Sequence, residues 1–235
     1  MATFAAGTPF LIDPSQRRET DRLLAEGLLE TLLPGVAGPP GGAGRRQTRL
    51  VALALALSPR AVSRAVVSEL AAAWIWCGGD PPDVIDVVVP PGRSLTRPSR
   101  PPLLAVHQRR LPPQDLTALE AGPVRIELTT PTRTLTDLLR LPPSGGLRGR
   151  IDALAAVPGV SAGGVATCLD RMPRARGVSR ARAALVELLG AAPAGVASVD
   201  ALAGDAVGVE DALHPPDGAD HVVEVRGVGH LEGEA

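Results

Sequence analysis

Aromatic side chains are nearly absent from this chain, and their scarcity constrains the core that it can build. Among 235 residues there are two Phe, two Trp and no Tyr, so that aromatics make up 2% of the sequence. Large aromatic side chains usually supply much of the buried area of a domain. The core must therefore be packed from Leu, Val and Ala. The length leaves room for one or two domains with a sizeable core.

Composition excludes several classes of protein. No unbroken run of eighteen apolar residues occurs, and the hydrophobic fraction of 45% is high, which argues against a membrane span and against a wholly disordered chain. Nothing at the start resembles a secretory signal, and Cys77 and Cys168 are the only thiols. We therefore expect a cytoplasmic protein with no membrane partner and no structural zinc site. Gly contributes 26 residues and Pro 24, which indicates that part of the chain is linker or tail.

Charge is distributed unevenly along the chain. The net charge is −1, but residues 187–235 carry ten acids and one Arg, whereas residues 1–186 carry 23 Arg and 15 acids. The body is therefore basic and the tail acidic. A basic body can meet phosphate groups or an acidic protein patch. A solvated surface, or docking of the chain's own acidic tail, remains an alternative use of the same charge.

Helix and turn signals divide the chain into segments. Asp13, Pro14 and Gln16 predict a helix start, and Gly27 predicts the end of this helix after Glu26. The Gly- and Pro-rich stretch 38–44 predicts a linker. The predicted organisation is an N-terminal unit at 1–37, the linker at 38–44, an α/β domain at 45–141, a helical region at 142–190 and an acidic, disordered tail at 191–235.

Periodicity predicts the elements within these segments. The β-branched run Val84–Val89 between prolines is typical of a buried strand. Extended pieces are also predicted at 28–33, 65–67, 103–107 and 222–225, with a hairpin at 116–119 and 124–128. Helices are predicted at 50–57, 69–76, 130–141, 151–157, 165–172 and 180–189.

Motifs for catalysis are weak. Asp80, Asp83 and Asp86 beside the predicted strand are the nearest approach to a metal cluster, but solvated carboxylates at a turn explain them better. His107 is interpreted as a strand residue, and the other histidines lie in the tail. No glycine-rich phosphate loop follows a strand. We expect no catalytic residue, no metal and no cofactor, and therefore no enzyme.

Four segments resemble, in chain order, the AbiEi family of type IV toxin–antitoxin antitoxins. They match the family's VSH..AA helix start, its VTVP.GR strand and loop, its VH...L...D strand and its TTPARTLLDL helix, and they lie at 60–74, 82–93, 106–117 and 129–138. Residues 23–36 are similar to the last helix and wing of the family's winged-helix domain. In some actinobacterial proteins the same region also precedes a nuclease-like domain.

The resemblance implies an α+β fold with a small winged-helix-like unit at the N-terminus, a mixed α/β central domain, a short helical C-terminal region and an acidic tail. The N-terminal unit is degenerate in this chain. Ala37 stands where the family has an aromatic residue, Glu26 and Glu30 stand where it often has Arg, and Glu69 replaces its usual His.

The resemblance also implies a function. We expect an antitoxin-like transcriptional regulator that binds DNA upstream of its own operon and counteracts a nucleotidyltransferase-type toxin. The alternatives are a protein-interaction module that has lost DNA binding and a remnant of a nuclease-associated protein. A further arginine cluster at 171–182 is interpreted as surface charge on a helix. The residues expected to contact phosphate are Arg17, Arg18, Arg22, Arg45, Arg46, Arg49, Arg93, Arg97 and Arg100.

Overall fold

The structure, a computed structural model, describes residues 8–57, 59–95 and 103–190, which contain two β-sheets and the helices around them. Arg97 and Arg100, the acidic tail and the predicted strand at 222–225 lie outside the described residues. The mixed α/β class expected from the sequence is confirmed for the described part of the chain.

The N-terminal residues form a small antiparallel sheet of three strands. Strands β1 (Phe10–Leu11), β2 (Glu30–Leu33) and β3 (Val36–Gly38) are ordered β1-β3-β2. Between β1 and β2 the chain forms one 3-10 turn (Pro14–Gln16) and one helix, α1 (Arg17–Ala25). The predicted helix start is confirmed. A helix-turn-helix needs two helices at this point, and the described residues between β1 and β2 supply only one.

Residues 38–44 differ from the predicted linker because they are packed and hydrogen-bonded. The carboxylate of Glu30 accepts hydrogen bonds from the backbone N–H of Gly41, at 3.0 Å, and of Ala43. Residues Gly42–Gly44 form a 3-10 turn in which Gly42 is buried. The carboxylate of Glu30 therefore pairs two backbone N–H groups of this segment, and it links the small sheet to the helix that follows.

The second sheet has five strands and carries the predicted β-elements. Its strands are β4 (Val66–Val67), β5 (Val84–Val89), β6 (Leu103–Gln108), β7 (Leu116–Ala121) and β8 (Val124–Thr129). Their order is β6-β5-β4-β8-β7, with β5 parallel to β6, β4 parallel to β8, and antiparallel pairing between β4 and β5 and between β7 and β8. All of these strands were expected from the sequence, with small shifts at the ends.

Helices cover this sheet and build two adjoining cores. The helices are α2 (Arg46–Ala56), α3 (Pro59–Val62), α4 (Glu69–Cys77), α5 (Pro131–Leu139), α6 (Leu147–Ala155), α7 (Ala162–Asp170) and α8 (Val178–Gly190). The first core joins the small sheet, α2, α4 and the five-stranded sheet, and the second joins α4 with α5, α6, α7 and α8. Trp74 belongs to the first core and its neighbour Ala73 to the second, so α4 separates the two. Among the helices of the described ranges, none has the length and apolar character needed to span a membrane.

Candidate functional site

Helix α1 carries three of the arginines expected to contact phosphate, and acids of the same helix neutralise two of them. Arg17 Nε lies 3.9 Å from the carboxylate of Asp21. Arg22 donates to Glu19 at 2.7 Å. Arg18 is exposed and makes no ion pair within the described part of the chain. The helix therefore presents little net positive charge to a phosphate backbone.

Two more of the expected residues, Arg45 and Arg46, lie exposed at the start of α2. The guanidinium carbon of Arg46 is 5.4 Å from the ring centroid of Trp76, within the range of a cation–π contact. Arg93 is exposed in the loop after β5. These three side chains are accessible, but Arg93 lies on a different element from Arg45 and Arg46.

Arg49 differs from its expected role. Its guanidinium donates to the backbone carbonyl of Ala43 at 2.6 Å and to that of Ile75 at 3.0 Å, and the residue is only 4% exposed. Burial lowers the pKa of this side chain. Because Arg49 holds the 3-10 turn before α2 against the end of α4, it cannot reach a phosphate, and its role is structural.

The acidic trio suggested by the sequence does not converge. Asp80 and Asp83 are exposed in the loop between α4 and β5, where the carbonyl of Asp80 accepts a hydrogen bond from Arg150. Asp86 is half-buried on β5 and interacts with His107, at 3.0 Å. The structure therefore assigns Asp86 to a different group of residues.

A group of arginines surrounds three adjoining clefts beyond the carboxyl ends of β5 and β6. The clefts have volumes of about 340, 210 and 380 Å³, and Arg109 lines all three. Crevices at strand ends of this kind are common ligand sites in α/β proteins. We call the seven arginines that line them and reach solvent the arginine face; they are Arg64, Arg109, Arg110, Arg140, Arg171, Arg176 and Arg180.

The acids of these clefts are mostly buried in ion pairs. Asp115 accepts hydrogen bonds from Arg133 at 2.8 Å and from Arg171. Asp137 accepts from Arg133 at 2.9 Å and from Arg140 at 2.8 Å. Both carboxylates are nearly inaccessible to solvent, at 4% and 1% exposure. Positive charge therefore dominates the accessible surface of the clefts.

A carboxylate–imidazole cluster lies at the largest of the three clefts. Glu69, Asp86 and His107 bring one oxygen, one oxygen and one ring nitrogen within 4.8 Å of one another. Arg109 donates to Glu69 at 3.1 Å and approaches Asp137 at 3.5 Å. Glu69 and His107 line the cleft of about 380 Å³ together with Arg109 and Asp137.

Electrostatics in this cluster disfavour negative charge on its two carboxyl groups. Burial, followed by the nearby charge of Asp86, raises the pKa of Glu69, and Arg109 opposes the shift only in part. Burial likewise raises the pKa of Asp86 in spite of the hydrogen bond from His107. Neighbouring positive charge therefore balances the negative charge of these two carboxyl groups only in part.

Glu69 also has an unusual backbone conformation. Its φ of 50° makes it the one residue other than Gly with positive φ among the described residues. A bulky side chain in this region costs of order 1–3 kcal/mol, and such strain is often found at functional sites. The strained residue begins α4 directly after β4, which brings its carboxylate beside β5 and β6.

Several residues of this site were not expected from the sequence. His107 was interpreted as a strand residue and Arg171, Arg176 and Arg180 as surface charge on a helix, yet all four line the clefts. The consecutive Arg109 and Arg110 after a strand were the available signal. Asp115, which pairs with Arg171, is 56 residues away in sequence, so the separate arginine clusters could not reveal this contact.

No protein-family model matches this chain, and no curated protein matches it.

Proposed function

We propose that this chain is a nucleic-acid-binding regulator that contacts DNA phosphates through the arginine face. One observation carries the proposal: three adjoining clefts share Arg109 and are lined by guanidinium groups, while Asp115 and Asp137 are buried in ion pairs. Among the described residues lining the clefts, Glu127 is the one exposed acid.

The distribution of charge favours phosphate over a single small anion. Arg110 lines two of the clefts, Arg140 joins the second to the third, and Arg176 and Arg180 line the third. A row of guanidinium groups along successive clefts suits the repeated charges of a nucleic-acid backbone. The contact would therefore be electrostatic and strongly dependent on salt.

The regulatory part of the proposal rests on the AbiEi resemblance. In that setting the chain would repress its own operon and neutralise a nucleotidyltransferase-type toxin. The charge-balanced helix α1 gives the N-terminal unit little part in phosphate contact. We therefore place the DNA contact on the α/β domain, and we assign the N-terminal unit to packing.

A second candidate partner is an acidic protein surface, such as that of a toxin. The described residues between β1 and β2 supply one helix instead of the two needed to read a DNA groove. An arginine face without a groove-reading helix beside it suits an acidic protein as well as a nucleic acid.

The test is fluorescence anisotropy of the full chain with labelled duplex DNA from upstream of its gene, titrated at several salt concentrations. Arg110→Ala and Arg176→Ala should weaken binding and lower the salt slope by about one unit for each lost phosphate contact. Arg125→Ala is the control, because it removes the same charge from a residue that lines none of the three clefts. Arg125 pairs with Glu120 on the β7–β8 hairpin. Arg22→Ala tests α1 in the same way.

Each outcome distinguishes the candidates. Weaker binding in the first two variants, with Arg125→Ala and Arg22→Ala unchanged, supports DNA contact at the arginine face. Loss of binding in Arg22→Ala alone would place the contact on α1. An absence of DNA binding at low salt, with retention of a co-expressed acidic partner that Arg110→Ala abolishes, would support the second candidate.

A further inference from the structure

We infer that Glu69, Asp86 and His107 form a binding site for one divalent transition-metal ion at the cleft of about 380 Å³. The site would add a Lewis acid beside the arginine face. This inference does not depend on DNA binding, because metal binding can be measured directly on the chain.

The spacing of the three side chains matches a single ion. Their candidate ligand atoms all lie within 4.8 Å of one another, and the His107 nitrogen is 3.0 Å from the Asp86 oxygen. In tetrahedral coordination, two ligand atoms that each lie about 2.1 Å from the ion are about 3.4 Å apart. Small side-chain movements would therefore bring all three into coordination.

The sheet places these side chains on one face. In the pairing of β4 with β5, Val67 lies opposite Val87, and the backbone N–H of Ser68 donates to the carbonyl of Asp86 at 2.9 Å. Continuing this register puts Ser68 opposite Asp86. His107 lies opposite Val88 in the β5–β6 ladder, two residues from Asp86 and thus on the same face.

An orphaned hydroxyl gives independent support for a ligand. Ser68 is completely buried, and its Oγ has no hydrogen-bond partner within the described part of the chain. Buried polar atoms almost always have a partner, so an unpaired one next to Glu69 and on the face of Asp86 indicates a missing polar group. A metal ion with its bound water would supply that group.

When no ion is bound, Arg109 supplies positive charge beside the carboxylate of Glu69. It is the cation that approaches Glu69, at 3.1 Å, and it is also shared with Asp137. Asp137 does not depend on Arg109, because Arg133 and Arg140 already donate to it. A metal ion could therefore replace Arg109 as the partner of Glu69 without leaving Asp137 unpaired. The metal ion and Arg109 would then compete for the Glu69 carboxylate.

The ligand types favour a transition metal over Mg²⁺ or Ca²⁺. One imidazole with two carboxylates suits Zn²⁺ or Mn²⁺, whereas Mg²⁺ and Ca²⁺ prefer oxygen ligands alone. Three protein ligands also leave a coordination position open, as in catalytic zinc sites. Because Glu69 and His107 line the cleft with Arg109, that open position would face the space proposed above for a phosphate.

The test is isothermal titration calorimetry of the full chain with ZnCl₂. We expect one strong site whose affinity falls by roughly tenfold or more in His107→Gln and in Asp86→Asn, the scale on which metal sites respond to changes in their surroundings. Asp83→Asn is the matched control, since Asp83 is an exposed acid of the neighbouring loop. A variant with His214, His221 and His230 all changed to Gln controls for binding by the tail. Both controls should bind Zn²⁺ as the native chain does.

The competition with Arg109 gives a second, directional test. Arg109→Gln should strengthen Zn²⁺ binding while it weakens binding of duplex DNA. The inference is overturned if the native chain has no saturable site, if His107→Gln and Asp86→Asn bind as the native chain does, or if Arg109→Gln binds Zn²⁺ less tightly. Thermal melts recorded in EDTA check the folding of each variant, and Asp86→Asn carries the test if His107→Gln does not fold.

Discussion

Arg133 donates through Nε to the carboxylate of Asp137 at 2.9 Å, across one turn of α5, and both side chains are almost completely buried. Burial alone would lower the pKa of Arg133, but Asp137 and Asp115 raise it well above its ordinary value. The guanidinium is therefore permanently charged inside the protein. It fixes the two carboxylates that in turn orient Arg140 and Arg171 at the clefts.

Removal of Arg133 should destabilise the fold strongly. Arg133→Ala leaves Asp115 and Asp137 buried without their main partner, and breaking a buried pair in this way costs about 3–5 kcal/mol. Arg148→Ala is the control, because Arg148 pairs with Asp152 in solvent on α6 and such a pair contributes about 0–1 kcal/mol. Urea denaturation measures both. Equal losses in the two variants would contradict a structural role for the buried network.

Local signals predicted most of the secondary structure. Helix α5 begins where expected because Thr130 accepts a hydrogen bond from the backbone N–H of Arg133 and Pro131 occupies the first turn. The β-branched composition of Val84–Val89 likewise predicted β5 to the residue. Both signals lie within a few residues of the element that they define.

The site could not be predicted in the same way, because long-range contacts define it. Glu69, Asp86 and His107 lie on three elements, and only the register of β4, β5 and β6 brings them to one face. Residues 38–44 were predicted to be a linker because their hydrogen bonds depend on a residue outside the segment. The carboxylate of Glu30 accepts hydrogen bonds from the backbone N–H groups of Gly41 and Ala43. The count of arginines likewise does not show which of them are buried, as Arg49 is, and which are exposed, as Arg45 is.

Gly177 should be essential to the arrangement of the arginine face. Its φ is +84°, and a Cβ at this position would overlap the backbone carbonyl of Arg140. That carbonyl accepts a hydrogen bond from Arg180 at 3.0 Å, and Arg140 donates to the carbonyl of Arg176 at 2.9 Å. Gly177→Ala should therefore displace the turn that carries these arginines and should lower both stability and affinity for DNA.

Gly159→Ala is the matched control for this substitution. Gly159 has a φ of +86°, but apart from its chain neighbours no described residue has a heavy atom within 4 Å of a Cβ built there. It therefore carries the cost of a positive φ alone, of order 1 kcal/mol. Thermal melts and anisotropy should show a clearly larger loss for Gly177→Ala. Equal effects on stability and affinity would mean that the contact with Arg140 is unimportant.

Trp74 should be the most costly single side chain to remove from the first core. It is fully buried, and its Nε1 has no hydrogen-bond partner among the described residues. Trp74→Ala should lower the free energy of unfolding by about 3–5 kcal/mol because it leaves a large cavity. Trp74→Phe keeps most of the apolar volume and removes the unpaired N–H, so it should cost much less. Comparable losses in chemical denaturation would show that ring size matters little at this position.

Glu69 should limit stability at neutral pH. Burial raises the pKa of Glu69 most, the charges of Asp86 and Asp137 raise it further, and those of Arg109 and His107 lower it. Because the pKa is higher in the folded chain, the folded state binds more protons than the unfolded state as the pH rises above the ordinary value of 4.5. The stability contributed by this group is therefore complete below that value and is lost as the pH rises through the folded pKa.

Glu69→Gln removes this titration and tests its sign. In EDTA, to exclude bound metal, the variant should melt at a higher temperature than the native chain at neutral pH. The difference should shrink toward about pH 4, where the native carboxyl is protonated in both states. Asp83→Asn, on an exposed acid, should show no such trend. A native chain more stable than the variant at neutral pH would mean that the attraction of Arg109 outweighs burial and repulsion, and that Glu69 is held as a structural ion pair.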